Sequence, residues 1–199
     1  MSGITATRMD LDAIGRNVGL PIAAILGQEV FNSAVVDIDF KASKIAFRSS
    51  ASFNPPSGAK QVSLMPSAGN RVVPVSIEGR PAMPAYFDLG NGSALDLFPS
   101  YWQTLHLLDG RVVTQSEMGG SGGKKPTSVA MVNSLSFAGI EFRNVRTNFS
   151  ADSATTENSE VVKGNLGMPI FDHFHLMTDY SRNGMYLIPY SKGPVGLSP

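Results

Sequence analysis

Apolar and polar residues alternate at strand spacing over much of this chain. Val73, Val75 and Ile77 are apolar at every second position, as a strand with one buried face requires. Glu78-Gly79-Arg80 predicts a turn, and residues 82–87 a returning strand. Residues 35–40 and 44–47 read as two further strands, and residues 22–26 as a buried strand ending at Gly27. Residues 112–116 and 128–132 predict a strand pair around a mobile tip, Gly119-Gly120-Ser121-Gly122-Gly123. Leu135-Ser136-Phe137 and Ile140-Glu141-Phe142 flank Ala138-Gly139, a hairpin signal. Helical spacing is rarer. Leu11, Ile14 and Val18 share one face of a short helix stopped by Gly19 and Pro21. Val30 and Phe31 suit a second. Phe98, Tyr101, Trp102, Leu105 and Leu108 mark one face of a third, with Pro99 in its first turn. Residues 48–70, rich in Ser, Pro and Gly, read as a connection with at most one short strand, and residues 150–160 as a polar loop.

Composition agrees with this pattern. Twenty glycines and thirteen prolines, spread among many Val, Ile, Phe and Thr, favour short strands and turns, so an all-β fold is expected. Sixteen basic and sixteen acidic residues cancel, with no basic stripe for nucleic acid and no polybasic segment for an anionic membrane. No run of eighteen apolar residues is present, and residues 1–12 have no apolar core of a signal peptide. The absence of cysteine excludes disulfides, thiolate metal sites and cysteine nucleophiles together.

One segment occurs twice. Residues 25–47 align without a gap on residues 165–187, at a constant offset of 167 − 27 = 140. Leu26/Leu166, Gly27/Gly167, Phe31/Phe171 and Asp39/Asp179 are identical. Val30/Ile170, Phe40/Tyr180, Ile45/Met185 and Phe47/Leu187 are conservative. A repeat this long is no solenoid unit, and it reads as two copies of one lobe.

Between the copies lies Tyr86-Phe87-Asp88-Leu89-Gly90-Asn91-Gly92-Ser93-Ala94-Leu95. It resembles the hydrophobic-hydrophobic-Asp-Thr/Ser-Gly loop of the pepsin/retropepsin-like aspartic proteases. In that family a later hydrophobic-hydrophobic-Gly segment threads past the Asp loop and leads to a short helix and final strands. Residues 162–167, Ile170-Phe171 and residues 176–187 are similar to that part, and Ala24-Ile25-Leu26-Gly27 to the same part of a preceding lobe. The resemblance covers roughly residues 11–190. It implies a closed-barrel-like acid-protease lobe over residues 71–190, a remnant of its partner lobe over 1–50, an interlobe connection over 51–70 and a tail over 191–199. It further implies that Asp88 is catalytic, that Leu89, Gly90 and Asn91 form the active-site loop, and that Leu26-Gly27 and Leu166-Gly167 are the structural threading segments. No metal or organic cofactor is implied. An extended peptide is the implied substrate, lying under a flap formed by residues 112–132, and an exported bacterial protein is the implied setting.

The chemistry follows from physical principles as well. A carboxylate at a tight turn after an apolar strand is rigidly aimed and partly desolvated. Two such carboxylates brought together cannot both ionise, so one acts as base toward water and the other as acid toward the scissile carbonyl. The chain departs from the family at two points. Leu89 stands where the family has Thr or Ser, and leucine has no hydroxyl to bond across to the other lobe. By the repeat offset the partner Asp falls at 88 − 140 = −52, before Met1. A missing first lobe or a homodimer is therefore the expected partner, and a protease-derived module that binds peptides without cleaving them is the alternative. Asn91 is placed to donate to Asp88.

Other candidates read more plainly. His173 and His175 are two apart, as metal ligands on one strand face are, yet they align with Ser33 and Val35 in a structural element. The stretch Gly119–Lys125 fails the phosphate-loop pattern at Met118 and Lys125. Asp37 and Asp39 read as solvated or turn-stabilising, and Tyr101 and Trp102 as core.

Overall fold

The computed structural model describes residues 7–120, 123–151 and 161–197. Helix α1 (Asp12–Val18) closes at Gly19, and α2 (Gln28–Ser33) leads into β1 (Val35–Asp39) and β2 (Lys44–Arg48). The connection carries two short strands, β3 (Lys60–Ser63) and β4 (Met65–Ser67), where at most one was expected. Then come β5 (Asn70–Ile77), β6 (Met83–Asp88), β7 (Leu95–Leu97), α3 (Pro99–Trp102), β8 (Thr114–Gly120), β9 (Gly123–Phe137) and β10 (Ile140–Ser150). The chain continues through β11 (Gly164–Gly167), α4 (Met168–Phe171), β12 (Phe174–Asp179), a 3-10 turn (Tyr180–Arg182), β13 (Gly184–Pro189) and β14 (Val195–Gly196). The fold is all-β.

Two sheets share these strands. One is antiparallel, in the order β2-β1-β12-β13-β3. The other runs β14-β10-β7-β11-β6-β5-β9-β8, with β4 on β5, and β9 also pairs β10. Strands β10, β7, β11, β6, β5 and β9 thus return on themselves. The expected closed barrel is not clearly formed, because β5 meets β9 only at Ser76↔Ser136 and Ile77↔Leu135. Val73, Val75 and Ile77 point into the core as their alternation predicts, joined there by Leu95, Leu97 and Leu135. Phe137 packs edge-on against Phe171 and Phe174, tying the two sheets together. At the β9–β10 hairpin Ala138 and Gly139 both have positive φ (51° and 83°), the two-residue turn that matches strand twist.

The third helix is shorter than its apolar spacing predicts. α3 is a single turn, and His106 at φ 51° takes the chain out of helical register. Leu107 is therefore buried, while Leu105 and Leu108, the predicted face, are only half-buried.

The sequence repeat is also a structural repeat. Asp37 of β1 pairs with Met177 of β12, its own counterpart at 37 + 140. Val36↔Thr178 and Ile38↔Leu176 exchange under the same offset, so the β1–β12 seam is a local twofold. Asp37↔Ala46 on one side matches Met177↔Tyr186 on the other. The identical aspartates do the same work: Asp39 accepts from the Ala42 N–H and Asp179 from the Arg182 N–H, each three residues on. Ser43 and Asn183, again offset by 140, both adopt the left-handed conformation (φ 53° and 50°).

One predicted element differs. Residues 21–27 pair with no strand among the described residues, and Ile25 and Leu26 are 57% and 52% exposed. Their counterparts Asn165 and Leu166 lie in β11, flanked by β6 and β7, with Leu166 fully buried. Apolar spacing alone does not make a strand; neighbours supplying hydrogen bonds do.

Candidate active site

Strand β6 delivers Asp88 to the mouth of a turn that β11 holds in place. β11 runs parallel to β6 with Gly167 opposite Asp88, and antiparallel to β7 with Leu166 opposite Leu95. The turn closes on itself through Asn91 N–H to Asp88 O, and is stitched to the end of β11 and the start of α4 by Gly167 N–H to Ala94 O and Met168 N–H to Asn91 O at 2.8 Å. A Cβ on Gly167 would lie 1.9 Å from Ser93 O, so only glycine permits this approach. That is the physical reason for the Gly in Leu166-Gly167. Gly27 faces no such backbone; a Cβ there would meet only the Glu29 carboxylate, at 2.8 Å.

The half-buried Asp88 carboxylate accepts two hydrogen bonds. The Gly90 N–H donates to Oδ1 at 2.9 Å and the Asn165 amide to Oδ2 at 3.0 Å. Leu89 packs against the hydrophobic core and contributes no polar atom to the site. Asn91 does not serve Asp88 as expected: its Nδ2 donates to Asp96 Oδ2 at 2.7 Å, and its Oδ1 accepts from the Ser93 N–H at 2.9 Å. The reason is reach, since Asn91 lies on the far side of the turn, toward β7.

Asp96 is the site residue that the sequence reading missed. It is 4% exposed, on β7, between Asn165 of β11 and Asn148 of β10 in register. Its Oδ1 accepts from Asn148 Nδ2 at 2.7 Å, and the Ser93 hydroxyl is a further donor. Burial pushes its carboxyl up from the ordinary carboxylate range against these donors, and the charge of nearby Asp88 pushes the same way. A signal for this row was present in the repeat: polar Asn165 stands beside Leu166-Gly167 where the first copy has apolar Ile25.

Above the two carboxylates lies a cleft of about 610 Å³. Asp88, Asp96 and Asn165 lie on one side, and Ser116, Glu117 and Gly119 of the β8–β9 hairpin on the other. The hairpin thus lines the same cleft as the Asp88 turn, and within it Gly120 pairs with Gly123. Ser121-Gly122 at its tip, and residues 152–160 of the predicted polar loop, lie outside the described residues.

The other candidates settle elsewhere. Asp37, read as solvated or turn-stabilising, is buried: His175 Nε2 lies 2.6 Å from its Oδ1, and Arg48 Nε donates to its Oδ2 at 2.7 Å. Strands β2 and β12 flank its own, and each supplies a side chain that covers the carboxylate. Asp39 stabilises a turn and accepts from the Tyr190 hydroxyl. His173 stacks near Phe142 with ring centroids 5.4 Å apart, away from His175's partner. Among the described residues no group of three or more His, Asp and Glu is placed to hold a metal ion. Trp102 packs edge-on against Phe149 and donates to Ser150 O.

No family model and no curated protein matches this chain. Among solved structures it is similar to a retropepsin-like aspartic protease from Rickettsia conorii. The identity is 17% and the TM-score 0.47, over 68% of this chain and 95% of that one. The likeness is one of all-β architecture, and at that TM-score it brings no function with it.

Proposed function

We propose that this chain carries one catalytic aspartate, Asp88, of an aspartic-type endopeptidase. The observation that carries the reading is the Asp88 turn itself. Its carboxylate is aimed by the Gly90 N–H and Asn165, on a turn clamped to Leu166-Gly167, facing a hairpin across a cleft. An extended peptide fits such a cleft by strand-like pairing with the hairpin. A carboxylate takes a proton from water as the water oxygen bonds to the scissile carbonyl carbon. The second carboxyl, protonated, gives its proton to the carbonyl oxygen. Collapse of the resulting diol breaks the C–N bond, and the departing amine takes up a proton.

The second carboxylate comes from a partner lobe, a first lobe or another copy of the chain. Ile25, Leu26, Ile45 and Phe47 are exposed on the copy of the repeat where such a lobe would dock. No metal enters this chemistry.

The test is cleavage of an unfolded protein at acidic pH by the assembled protein. Asp88→Asn keeps the shape and should lower the rate on the order of 10⁴-fold. Full activity in that variant would sink the assignment. A second reading, peptide binding without cleavage, is favoured by Leu89, whose side chain is committed to the core. It predicts no cleavage by the wild-type protein and equal peptide affinity in wild type and Asp88→Asn.

A further inference from the structure

The turn that carries Asp88 lacks a hydroxyl at Leu89, yet it is not left loose. Its far side is tied down within the same lobe. Asn91 is bound at both ends of its amide, giving a hydrogen bond to Asp96 and taking one from the Ser93 N–H. Asn148 Nδ2 donates both to Asp96 Oδ1 and to Ser93 Oγ, each at 2.7 Å. Asp96 is therefore the common acceptor of a row that begins on β10 and ends in the turn. The Asn91 amide orientation is fixed by its second bond, and Asp96 is addressed only by donors. On the other side Asn165, opposite Asp96 on β11, donates to Asp88, while its Oδ1 is buried without a hydrogen-bond partner. All these residues line the cleft.

We propose that Asp96 is a positioning residue for Asp88: through Asn91 and Ser93 it holds the turn from inside the lobe, in place of a bond across to a partner. This rests on the reading of Asp88 as catalytic, but its physical content is separable. A buried carboxylate with three donors holds a loop far more rigidly than a neutral pair does. A displacement of about 1 Å at a reacting group costs about 10²-fold in rate. The row also explains why the site tolerates leucine at position 89. In this role Asp96 acts on turnover through Asp88.

A swap of acceptor and donor tests this. Asp96→Asn puts an amide against the donors of Asn91 and Asn148, and Asn91→Asp puts a second carboxylate against Asp96. Together, Asn91→Asp with Asp96→Asn restores every bond of the row in reverse: position 96 donates to 91 and still accepts from Asn148. Two readouts are taken on the assembled protein, kcat and KM for peptide cleavage, and amide hydrogen exchange at Gly90–Ser93. Each single variant should lose about 10²-fold in kcat with KM within about twofold. Each should also speed exchange of the Ser93 N–H, and the double variant should restore both. The proposal is overturned if the single variants leave exchange and kcat unchanged, or if the double variant recovers neither. The two readings separate cleanly. Wild-type protein that cleaves nothing, while exchange follows the swap, removes the Asp88 assignment and supports the positioning role. Cleavage lost in Asp88→Asn but indifferent to Asp96→Asn does the reverse.

Discussion

Residues 24–48 and 164–188 follow the same course through extended segment, glycine, short helix and two strands, yet their surroundings differ completely. In the second copy the extended segment is β11, threaded between β6 and β7, with Leu166 fully buried. In the first copy the equivalent segment lies open and Leu26 is 52% exposed. The outer edge of β13 is covered by β3, whereas β2 ends its sheet. Along the seam between them the copies are alike to the residue, with Asp37 paired to its own counterpart Met177. The copies thus keep their geometry where they face each other and differ where strands β6 and β7 flank only one of them. Local structure in this repeat is autonomous, and burial is conferred from outside.

The comparison is most easily broken at the paired glycines. Gly167→Ala drives a Cβ into Ser93 O and should cost about 3 kcal/mol, read as a lowered urea midpoint. Gly27→Ala meets only a flexible Glu29 side chain and should cost under about 1 kcal/mol. Equal losses would mean that the first copy is threaded too.

A smaller effect is expected at the paired aspartates. The Asp179 side chain is 1% exposed and accepts from Ser50, Ser181 and the Arg182 N–H. Burial raises its carboxyl, but these bonds and the Arg182 charge outweigh it and hold the group below its ordinary value. A depressed native value means stability that is present above the unfolded value, about 4, and lost as pH falls through the native one. Asp179→Asn should cost about 2 kcal/mol at neutral pH, and the variant should lose less stability than wild type below pH of about 4. Asp39, held low chiefly by the Tyr190 hydroxyl, is half-buried and less enclosed than Asp179, and Asp39→Asn should move the urea midpoint less than Asp179→Asn does. An acid profile identical in wild type and Asp179→Asn would contradict this account. Asp96 has the opposite sign: its raised value favours the folded state at acidic pH, and that contribution fades as pH rises through it.

The smallest effect separates the two left-handed residues. Ser43→Gly relieves a conformation unfavourable to serine and should stabilise by about 0.5 kcal/mol, net of the entropy glycine adds to the unfolded chain. Asn183 accepts from Arg71 Nη1 at 2.7 Å, so Asn183→Gly loses that bond and should gain nothing. A thermal-melt pair distinguishes them, and a gain at Asn183 would show that the bond contributes little.

Much of this was legible in the residues themselves. Alternation at Val73, Val75 and Ile77 and the Ala138-Gly139 turn specify strands and a hairpin, because a strand's period and a turn's φ are properties of a few adjacent residues. The repeat was legible as two copies of one unit, but their meeting along the β1–β12 seam was not. Asp88 at its turn was visible for the same reason, as an apolar strand running into Asp-Leu-Gly. Asp96 was not visible. A single acid between leucines in Leu95-Asp96-Leu97 reads as one face of a strand, and its donors arrive from Asn91, Ser93 and Asn148. The burial of Asp37 beside His175, 138 residues away in sequence, was hidden likewise.

By itself, then, the sequence determined many of the strands and turns, the two copies and the place of Asp88 at a turn. Only the tertiary structure decided that Leu166 is buried and Leu26 is not, that Asn91 serves Asp96 rather than Asp88, and that the hairpin of β8 and β9 faces the Asp88 turn. The physical reason is the range of the forces involved. Backbone preference acts over a few residues, whereas burial and hydrogen-bond satisfaction depend on which distant strand lies alongside.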